Sequence, residues 1–149
     1  MSDNAPLVTI GILCFNAESS ILNALQSALN QTYKNKEIIV IDDCSTDNSL
    51  KVIRESKYIN KIKLFQNKQN EGAAYSRNFV TKKANGSYIC YMDDDDISDK
   101  YRIDIQIKSI HDQGFNNSDC VLCICNINRT YSSGYIKEMK VFGTKALKP

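Results

Sequence analysis

The sequence predicts an α/β fold, namely a three-layer, Rossmann-like and mostly parallel sheet with helices on both faces. Short apolar runs rich in β-branched residues, typical of strands covered on both faces, alternate with segments whose apolar residues recur at helical spacing. Two acidic clusters each follow directly on a predicted strand. Because ligands bind outside the carboxyl ends of the strands in such sheets, this edge is where a functional site is expected.

The predicted elements alternate along the chain. Buried strands are predicted at Leu7–Leu13, Glu37–Ile41, Ile62–Phe65, Ser87–Met92 and Cys120–Ile127. Helices are predicted at about residues 18–31, around Leu50 and Ile53, from Gly72 to about Ala84, and from about Ser98 to Gln113.

Local signals support the limits of two of these helices. Ser45-Thr46-Asp47 supplies side chains that favour a helix N-terminus, and Asn85-Gly86 is expected to end the third helix. The alternation of Ile103, Ile105 and Ile107 would suit a strand as well as the predicted helix.

The length of 149 residues is that of one domain. We expect this domain over residues 1–127. Residues 128–149 are polar and rich in Tyr and Lys, and we predict no clear element there; they look like an incomplete segment.

Composition disfavours several classes of function. Nineteen Lys and Arg against 17 Asp and Glu leave a net charge of +2, which argues against nucleic-acid binding. No stretch approaches the roughly 18–20 apolar residues that span a bilayer, and Met1–Asn4 does not begin a signal peptide. We therefore expect a soluble, cytoplasmic protein without a membrane span.

The six cysteines are interpreted as buried, reduced thiols. Three are isolated, and Cys120, Cys123 and Cys125 fall within an apolar run that resembles a buried strand. A zinc site would need a fourth ligand, and the only histidine is His111. A metal site and a disulfide remain the less favoured alternatives.

The acidic clusters are the sharpest functional signal. Asp42-Asp43 follows the second predicted strand, and Asp93–Asp96 follows the fourth. An exposed acidic loop is the plainer interpretation, but a divalent cation would relieve the repulsion between adjacent carboxylates. The loop lacks the Gly and Glu of an EF-hand, since Ser98 and Asp104 stand there. Phosphate-binding glycine loops are also absent, which favours a metal bridging carboxylates to a diphosphate.

Six motifs, spread between about Pro6 and Asn126, together resemble the inverting family 2 glycosyltransferases. They are Val8–Asn16, Gln31–Tyr33, Glu37–Asp47, Asn70–Gly72, Ser76–Asn78 and Gly86–Asp96. The donor-binding half of that family has a Rossmann-like A-type fold. The resemblance therefore implies a nucleotide-sugar-binding domain over residues 1–127.

The resemblance also implies roles for individual residues. Cys14, Phe15 and Asn16 would line the nucleotide pocket, and Asp43 would accept a hydrogen bond from the base, with the imide N–H of uracil the best match. The plainer alternatives are a core position for Phe15 and a helix cap for Asp43. Cys44 stands where the family mostly has Gly, so the turn after Asp43 is expected to differ here.

The diphosphate side of the site is implied in the same way. Asp95 would ligate Mn²⁺ or Mg²⁺, while Asp93 or Asp94 would contact the ribose. Arg77 would reach the base or the phosphates with its planar, permanently charged group, or else remain a solvated helix residue. Asp96 is interpreted as structural.

The implied reaction is direct displacement with inversion, assisted by the metal. A general base, usually an Asp in the acceptor-binding half, would deprotonate the acceptor hydroxyl. We identify no such base, because Asp104, Asp112 and Asp119 come too early and the chain ends 53 residues after Asp96 (149 − 96). We expect that the acceptor half is missing and that the fold is truncated.

The expected activity is transfer of a sugar from a UDP donor to a glycan or lipid-linked acceptor, which would draw the enzyme to the cytoplasmic face of a membrane. An uncovered sheet edge would favour a homo-oligomer. A non-catalytic nucleotide- or metal-binding module of the same fold is the alternative. A phospho-acceptor signalling domain is disfavoured, because Ile62–Asn67 contains no acceptor Asp.

Overall fold

The computed structural model describes residues 5–115, 121–123, 127–130, 136–139 and 144–146. The chain divides into two compact units, Met1–Tyr101 and Arg102–Pro149. The division thus comes earlier in the chain than the limit at residue 127 expected from the sequence. The domain limits remain a prediction, and each unit is described separately.

The first unit contains one parallel sheet of four strands in the order β3-β2-β1-β4. The strands are β1 Val8–Cys14, β2 Lys36–Asp42, β3 Lys63–Gln66 and β4 Tyr88–Asp93. The helices are α1 Ile21–Leu29, α2 Ser49–Glu55 and α3 Ala73–Lys83, with a 3₁₀ turn at Ile59–Lys61. The four predicted strands and three predicted helices of this unit are therefore confirmed.

Both faces of the sheet are covered, as the apolar runs predict. On one face, Leu13, Ile39 and Ile41 pack against Val80 of α3, and Phe65 meets Phe79 edge to face with ring centroids 5.2 Å apart. A Cβ at Gly11 would lie 2.5 Å from Val80, so only glycine lets α3 approach this closely. On the other face, α1 packs on β1 and α2. Burial of these apolar side chains on both faces is the main stabilising term of the sheet.

The strand order creates a topological switch point. From β1 the chain adds β2 and then β3 on one side, and it returns to place β4 on the other side of β1. The loops that follow β1 and β4 therefore leave the sheet in different directions and open a crevice at its carboxyl edge. Both acidic clusters lie at this edge, as predicted.

The residues that end α3 and begin α2 differ in their roles from those expected from the sequence. Helix α3 ends because Ala84 adopts extended backbone, and Gly86 does not take the left-handed conformation of a helix cap. Gly86 instead packs on β1, where a Cβ would lie 2.6 Å from the Thr9 nitrogen. Helix α2 begins after Asn48, and of the three predicted capping residues Asp47 accepts a hydrogen bond from the Ser49 N–H at 2.9 Å.

The second unit begins with α4, Arg102–Asp112. The ambiguous isoleucine pattern is thus helical: Ile103, Ile107 and Ile110 are buried, whereas Ile105 is 63% exposed. The described residues of this unit also form four short strands, namely β5 Val121–Cys123, β6 Ile127–Thr130, β7 Ile136–Met139 and β8 Thr144–Ala146.

The sequence-based prediction for this second unit was confirmed for β5, which lies within the predicted strand, and was wrong for the strands that follow it. A single strand was expected over Cys120–Ile127, but β5 pairs antiparallel with β8 and β6 pairs antiparallel with β7. No element was expected over 128–149, which contains β7 and β8. β7 and β8 lie in the polar C-terminal stretch, which has no strong local signal, so the apolar pattern could not reveal these pairings. Cys120 and Cys125 lie outside the described residues.

The described cysteines are unpaired by disulfides. Cys14 is buried, and Cys44, Cys90 and Cys123 are partly buried, each as a free thiol. None of the helices in the described residues is both long enough and apolar enough to cross a membrane.

The Glu37 carboxylate joins several segments at the amino-terminal edge of the first sheet by hydrogen bonds. Glu37 of β2 accepts hydrogen bonds from the Thr9 hydroxyl at 2.6 Å, the Asn85 N–H at 2.7 Å and the Lys63 ammonium at 2.7 Å. Burial alone would raise the pKa of Glu37, but these bonds outweigh it and lower the pKa from 4.5 to about 2. Glu37 therefore links β1, β3 and the α3–β4 connection through one ionised group.

We predict that Glu37→Gln destabilises the protein at neutral pH and that the difference from wild type shrinks as pH falls. The stabilisation from a depressed pKa is complete above the unfolded-state pKa of 4.5 and is lost between there and about 2. Urea unfolding at about pH 7 and about pH 3 measures this. Glu55→Gln, at an exposed carboxylate of α2, is the control. An equal destabilisation by Glu37→Gln at both pH values would contradict the assignment.

Candidate functional site

A cleft of about 480 Å³ opens at the switch point between β1 and β4, within the size range of small-molecule sites. Its lining residues come from the ends of β1, β2 and β4, the loop before α3 and the first turns of α3. They are Leu13, Cys14, Phe15, Asp43, Asn70, Gly72, Ala73, Ser76, Arg77, Asp93, Asp94 and Asp95. All the site residues predicted from the sequence line this cleft except Asn16.

The lining is strongly acidic. Four carboxylates, those of Asp43, Asp93, Asp94 and Asp95, face one cationic side chain, that of Arg77. Burial raises the pKa of Asp94, and the charges of Asp95 and Asp93 raise it further, against the lowering effect of a hydrogen bond from the Phe15 N–H. The charges of Asp93 and Asp95 therefore oppose the ionisation of Asp94, and a bound cation would relieve this repulsion.

The side chains of the acidic run have different partners. Asp94 accepts the Phe15 N–H at 2.8 Å and so joins the loop after β1 to the loop after β4. Asp93 forms an ion pair with Arg77 at 3.3 Å, and both side chains are about half exposed, so the pair is weak. The exposed carboxylate of Asp95 forms no hydrogen bond or ion pair within the described part of the chain. Asp95 is therefore the carboxylate of this run most available to a ligand.

Asp43 lies at the floor of the cleft, and one of its carboxylate oxygens accepts two hydrogen bonds. Its Oδ1 accepts hydrogen bonds from the Asn67 amide at 2.6 Å and the Glu71 N–H at 2.9 Å, and its Oδ2 accepts the Gly72 N–H at 2.8 Å. Burial would raise its pKa, but these three bonds outweigh burial and lower it below the ordinary value. Asp43 is therefore an ionised acceptor that holds the loop before α3, and it does not cap α2.

The loop before α3 depends on one residue with positive φ. Gly72 has φ +83° and directly precedes the helix, so its N–H points back to Asp43. This is a conformation that side chains rarely adopt. The first turn of α3 brings Ala73 and Ser76 to the cleft wall.

Asn16 has a supporting position outside the cleft. Its backbone is left-handed, with φ +53°, and its side-chain oxygen accepts hydrogen bonds from the Thr46 N–H at 2.8 Å and the Thr46 hydroxyl at 3.2 Å. Asn16 thus joins the loops after β1 and β2. Phe15, in contrast, is 46% exposed at the cleft and is not a core residue.

Cys14 contributes a neutral surface to the cleft. Burial, followed by the nearby charges of Asp94 and Asp42, raises the pKa of its thiol to about 12. The thiol therefore stays protonated and unreactive at physiological pH, and Cys14 acts as a small apolar residue.

Within the described residues, no group of three or more His, Cys, Asp or Glu side chains is arranged to hold a metal ion. Mg²⁺ and Mn²⁺ sites that include a phosphate ligand need only one or two protein carboxylates. The available Asp95 carboxylate beside two further carboxylates fits this second kind of site, because it supplies hard oxygen ligands and excess negative charge.

The fold and the acidic cleft define an α/β protein with a candidate ligand site at the carboxyl edge of its sheet. The family model of glycosyl transferase family 2 matches residues 9–145, and the chain belongs to this family. The predicted family resemblance and the α/β, A-type fold are thereby confirmed.

Curated relatives and solved structures agree with this assignment. An uncharacterized glycosyltransferase of Haemophilus influenzae is 39% identical over 105 residues, which are 70% of this chain and 42% of that protein. The Escherichia coli enzyme WfgD, a UDP-Glc:α-D-GlcNAc-diphosphoundecaprenol β-1,3-glucosyltransferase, is 41% identical over 102 residues, 68% of this chain and 40% of its own length.

Among solved structures, Staphylococcus aureus TarS residues 1–349 in complex with UDP-GlcNAc superposes with a TM-score of 0.66. The sequence identity is 28%, and the match covers 76% of this chain and 32% of that one. The present chain thus spans less than half the length of these relatives.

Some residues of the cleft had no assigned role in the sequence analysis. Asn70 and Gly72 lay within a recognised motif, and the positive φ of Gly72 explains why glycine stands there. Ser76 lines the cleft and lay within the motif Ser76–Asn78. Asn67 lies behind Asp43 and belongs to no motif, and its place as a polar residue shortly after a predicted strand was the signal available.

The turn after β2 contains a non-glycine residue with positive φ, as the loop after β1 does at Asn16. Cys44 has φ +61°, so a residue with a side chain adopts the left-handed conformation at this turn. We predict that Cys44→Gly stabilises the protein by about 1 kcal/mol, because glycine removes the steric cost of this conformation.

Asn16→Gly is the matched control, since Asn16 is also left-handed but its side chain accepts two hydrogen bonds from Thr46. This variant should lose stability. Chemical denaturation of both variants measures the two effects, and destabilisation by Cys44→Gly would contradict the role of strain at this turn.

Proposed function

We propose that this chain is the nucleotide-sugar-binding part of a glycosyltransferase that uses a UDP-sugar donor and a divalent metal ion. The observation that carries the proposal is the pairing, in one cleft, of an ionised acceptor at the floor with three consecutive carboxylates at the rim. The UDP-glucose named as donor of WfgD and the UDP-GlcNAc bound to TarS support uridine as the base.

The base is read at the floor of the cleft. Asp43 is a permanent hydrogen-bond acceptor, because three donors keep its pKa low. An acceptor suits the imide N–H of uracil. Cys14 and Phe15 line the pocket for the nucleotide beside it.

The diphosphate is held at the rim. Four carboxylates against one guanidinium would repel a diphosphate, so its binding needs additional positive charge. Asp95, with Mn²⁺ or Mg²⁺, meets this need, and Asp93 or Asp94 contacts the ribose. Arg77, already within 3.3 Å of Asp93, is near enough to this rim to offer its planar group to the base or a phosphate. When bound, the metal acts as a Lewis acid that neutralises the charge developing on the departing diphosphate.

Sugar transfer proceeds with inversion onto the hydroxyl of a glycan or lipid-linked acceptor. The lipid-linked acceptor named for WfgD supports this class and, with it, action at the cytoplasmic face of a membrane. We assign residues 1–127 to donor binding and residues 128–149 to the segment that leads to the acceptor side. We assign no general base in this chain.

A non-catalytic nucleotide- or metal-binding module is the second candidate. It is favoured by the partners of the rim carboxylates: Asp94 is bonded to the Phe15 N–H and Asp93 is paired with Arg77, so neither is ready to act as a base. Slow hydrolysis of UDP-glucose by the purified chain, or transfer to any acceptor, would exclude this candidate.

We predict that UDP binds in the presence of Mn²⁺ and that Asp95→Asn weakens this binding at least about tenfold. Chelation of the metal should have a similar effect on wild type and little further effect on the variant. Isothermal titration calorimetry measures the dissociation constant of UDP for wild type and for Asp95→Asn.

Asp96→Asn is the matched control, because it removes the same charge one residue away and Asp96 does not line the cleft. Equal weakening by the two variants would point to general electrostatics, and metal-independent UDP binding would contradict the role of Asp95.

A further inference from the structure

Three buried polar side chains form a connected chain beneath the cleft. Asp43 is 5% exposed, Asn67 9% and Ser76 1%. The Asn67 amide donates to Asp43 Oδ1 at 2.6 Å and lies 3.4 Å from the Ser76 hydroxyl. Asp43 and Ser76 line the cleft, whereas Asn67 lies behind them. Burying three polar groups costs free energy unless they are hydrogen-bonded, and here they bond to one another.

The hydrogen bonds of Asp43 leave one acceptor position open. A carboxylate offers about four lone-pair positions, two on each oxygen. Asn67 and the Glu71 N–H occupy Oδ1, and the Gly72 N–H occupies one position on Oδ2. The remaining position belongs to Oδ2, so a ligand in the cleft meets one oxygen in one orientation.

Asn67 is itself held in place by the sheet. Its backbone N–H donates to the Asp42 carbonyl at 2.8 Å, directly after β3, so the β2–β3 pairing continues into this residue. The side-chain amide therefore approaches Asp43 from a fixed backbone. Without it, Oδ1 would regain an open position and the carboxylate could turn.

We infer that Asn67 is a positioning residue for base selection: it fixes the Asp43 carboxylate so that one open acceptor position on Oδ2 receives the base. Uracil presents an N–H there. Cytosine presents an unprotonated ring nitrogen, which the lone pair repels. This inference rests on the proposed function, since it concerns the same nucleotide site.

The test compares UDP with CDP, which have the same diphosphate and differ only in the base, both titrated with Mn²⁺ present. Wild type should prefer UDP. Asn67→Ala should weaken UDP binding about tenfold and change CDP binding less than about threefold, so the preference falls. A merely structural loss would weaken both nucleotides by the same factor.

Gln31→Ala is the matched control for general destabilisation. Gln31 is a buried amide that bonds to the Asp99 carbonyl at 2.6 Å, and it does not line the cleft. This variant should leave the ratio of UDP to CDP affinity unchanged. If Asn67→Ala does not fold, Ser76→Ala is used instead. This variant removes the contact between the Ser76 hydroxyl and the Asn67 amide, so we expect a smaller fall in the ratio of UDP to CDP affinity.

The outcomes separate the inference from the proposed function. If wild type binds neither nucleotide, the proposed function fails and this inference fails with it. If wild type prefers UDP and the folded variant keeps the same ratio, Asn67 has no role in base selection and only this inference is overturned.

Discussion

The parallel pairing of β1 with β2 on one side and β4 on the other is the constraint on which the rest of the structure depends. β1 is buried along its whole length, and both faces of the sheet around it are covered by helices. Because the chain reverses its direction of growth at β1, a crevice opens at the carboxyl ends of β1 and β4, and the Phe15–Asp94 hydrogen bond joins the loops beside it. The cleft exists because of this order of strands. At the opposite end of the sheet, the hydrogen bonds of Glu37 stabilise the same arrangement.

The charges of the cleft are organised in two ways that serve different purposes. At the floor, the protein supplies three donors to Asp43 and keeps it ionised without any ligand. At the rim, the carboxylates of Asp93, Asp94 and Asp95 follow one another with one nearby cation, and burial together with the charges of Asp95 and Asp93 raises the pKa of Asp94. The floor therefore presents an ionised hydrogen-bond acceptor, whereas the rim carries an excess of negative charge that a bound cation would relieve.

The sequence was most informative where the signal is local and strong. Four apolar runs identified β1 to β4, and the carboxylates after β2 and β4 could be assigned to one edge because parallel strands share it. The hydrogen bonds that Asp43 accepts from Asn67, Glu71 and Gly72 were not predictable, since they depend on how the loop after β3 folds back. The supporting position of Asn16 and the antiparallel pairing of β5 with β8 likewise depend on contacts between distant segments. The UDP-specific and metal-binding roles of individual residues stay predictions.

The most direct test of the central claim is to map nucleotide binding on the assigned amide resonances of the full chain, with UDP and Mg²⁺ added. We expect the largest chemical-shift changes at Phe15, Gly72 and Asp94, which come from three separate segments of the cleft wall. Changes concentrated instead at the separate groove lined by Glu18, Asn48 and Lys51 would show that the nucleotide binds elsewhere, because that groove contains none of the carboxylates of the cleft.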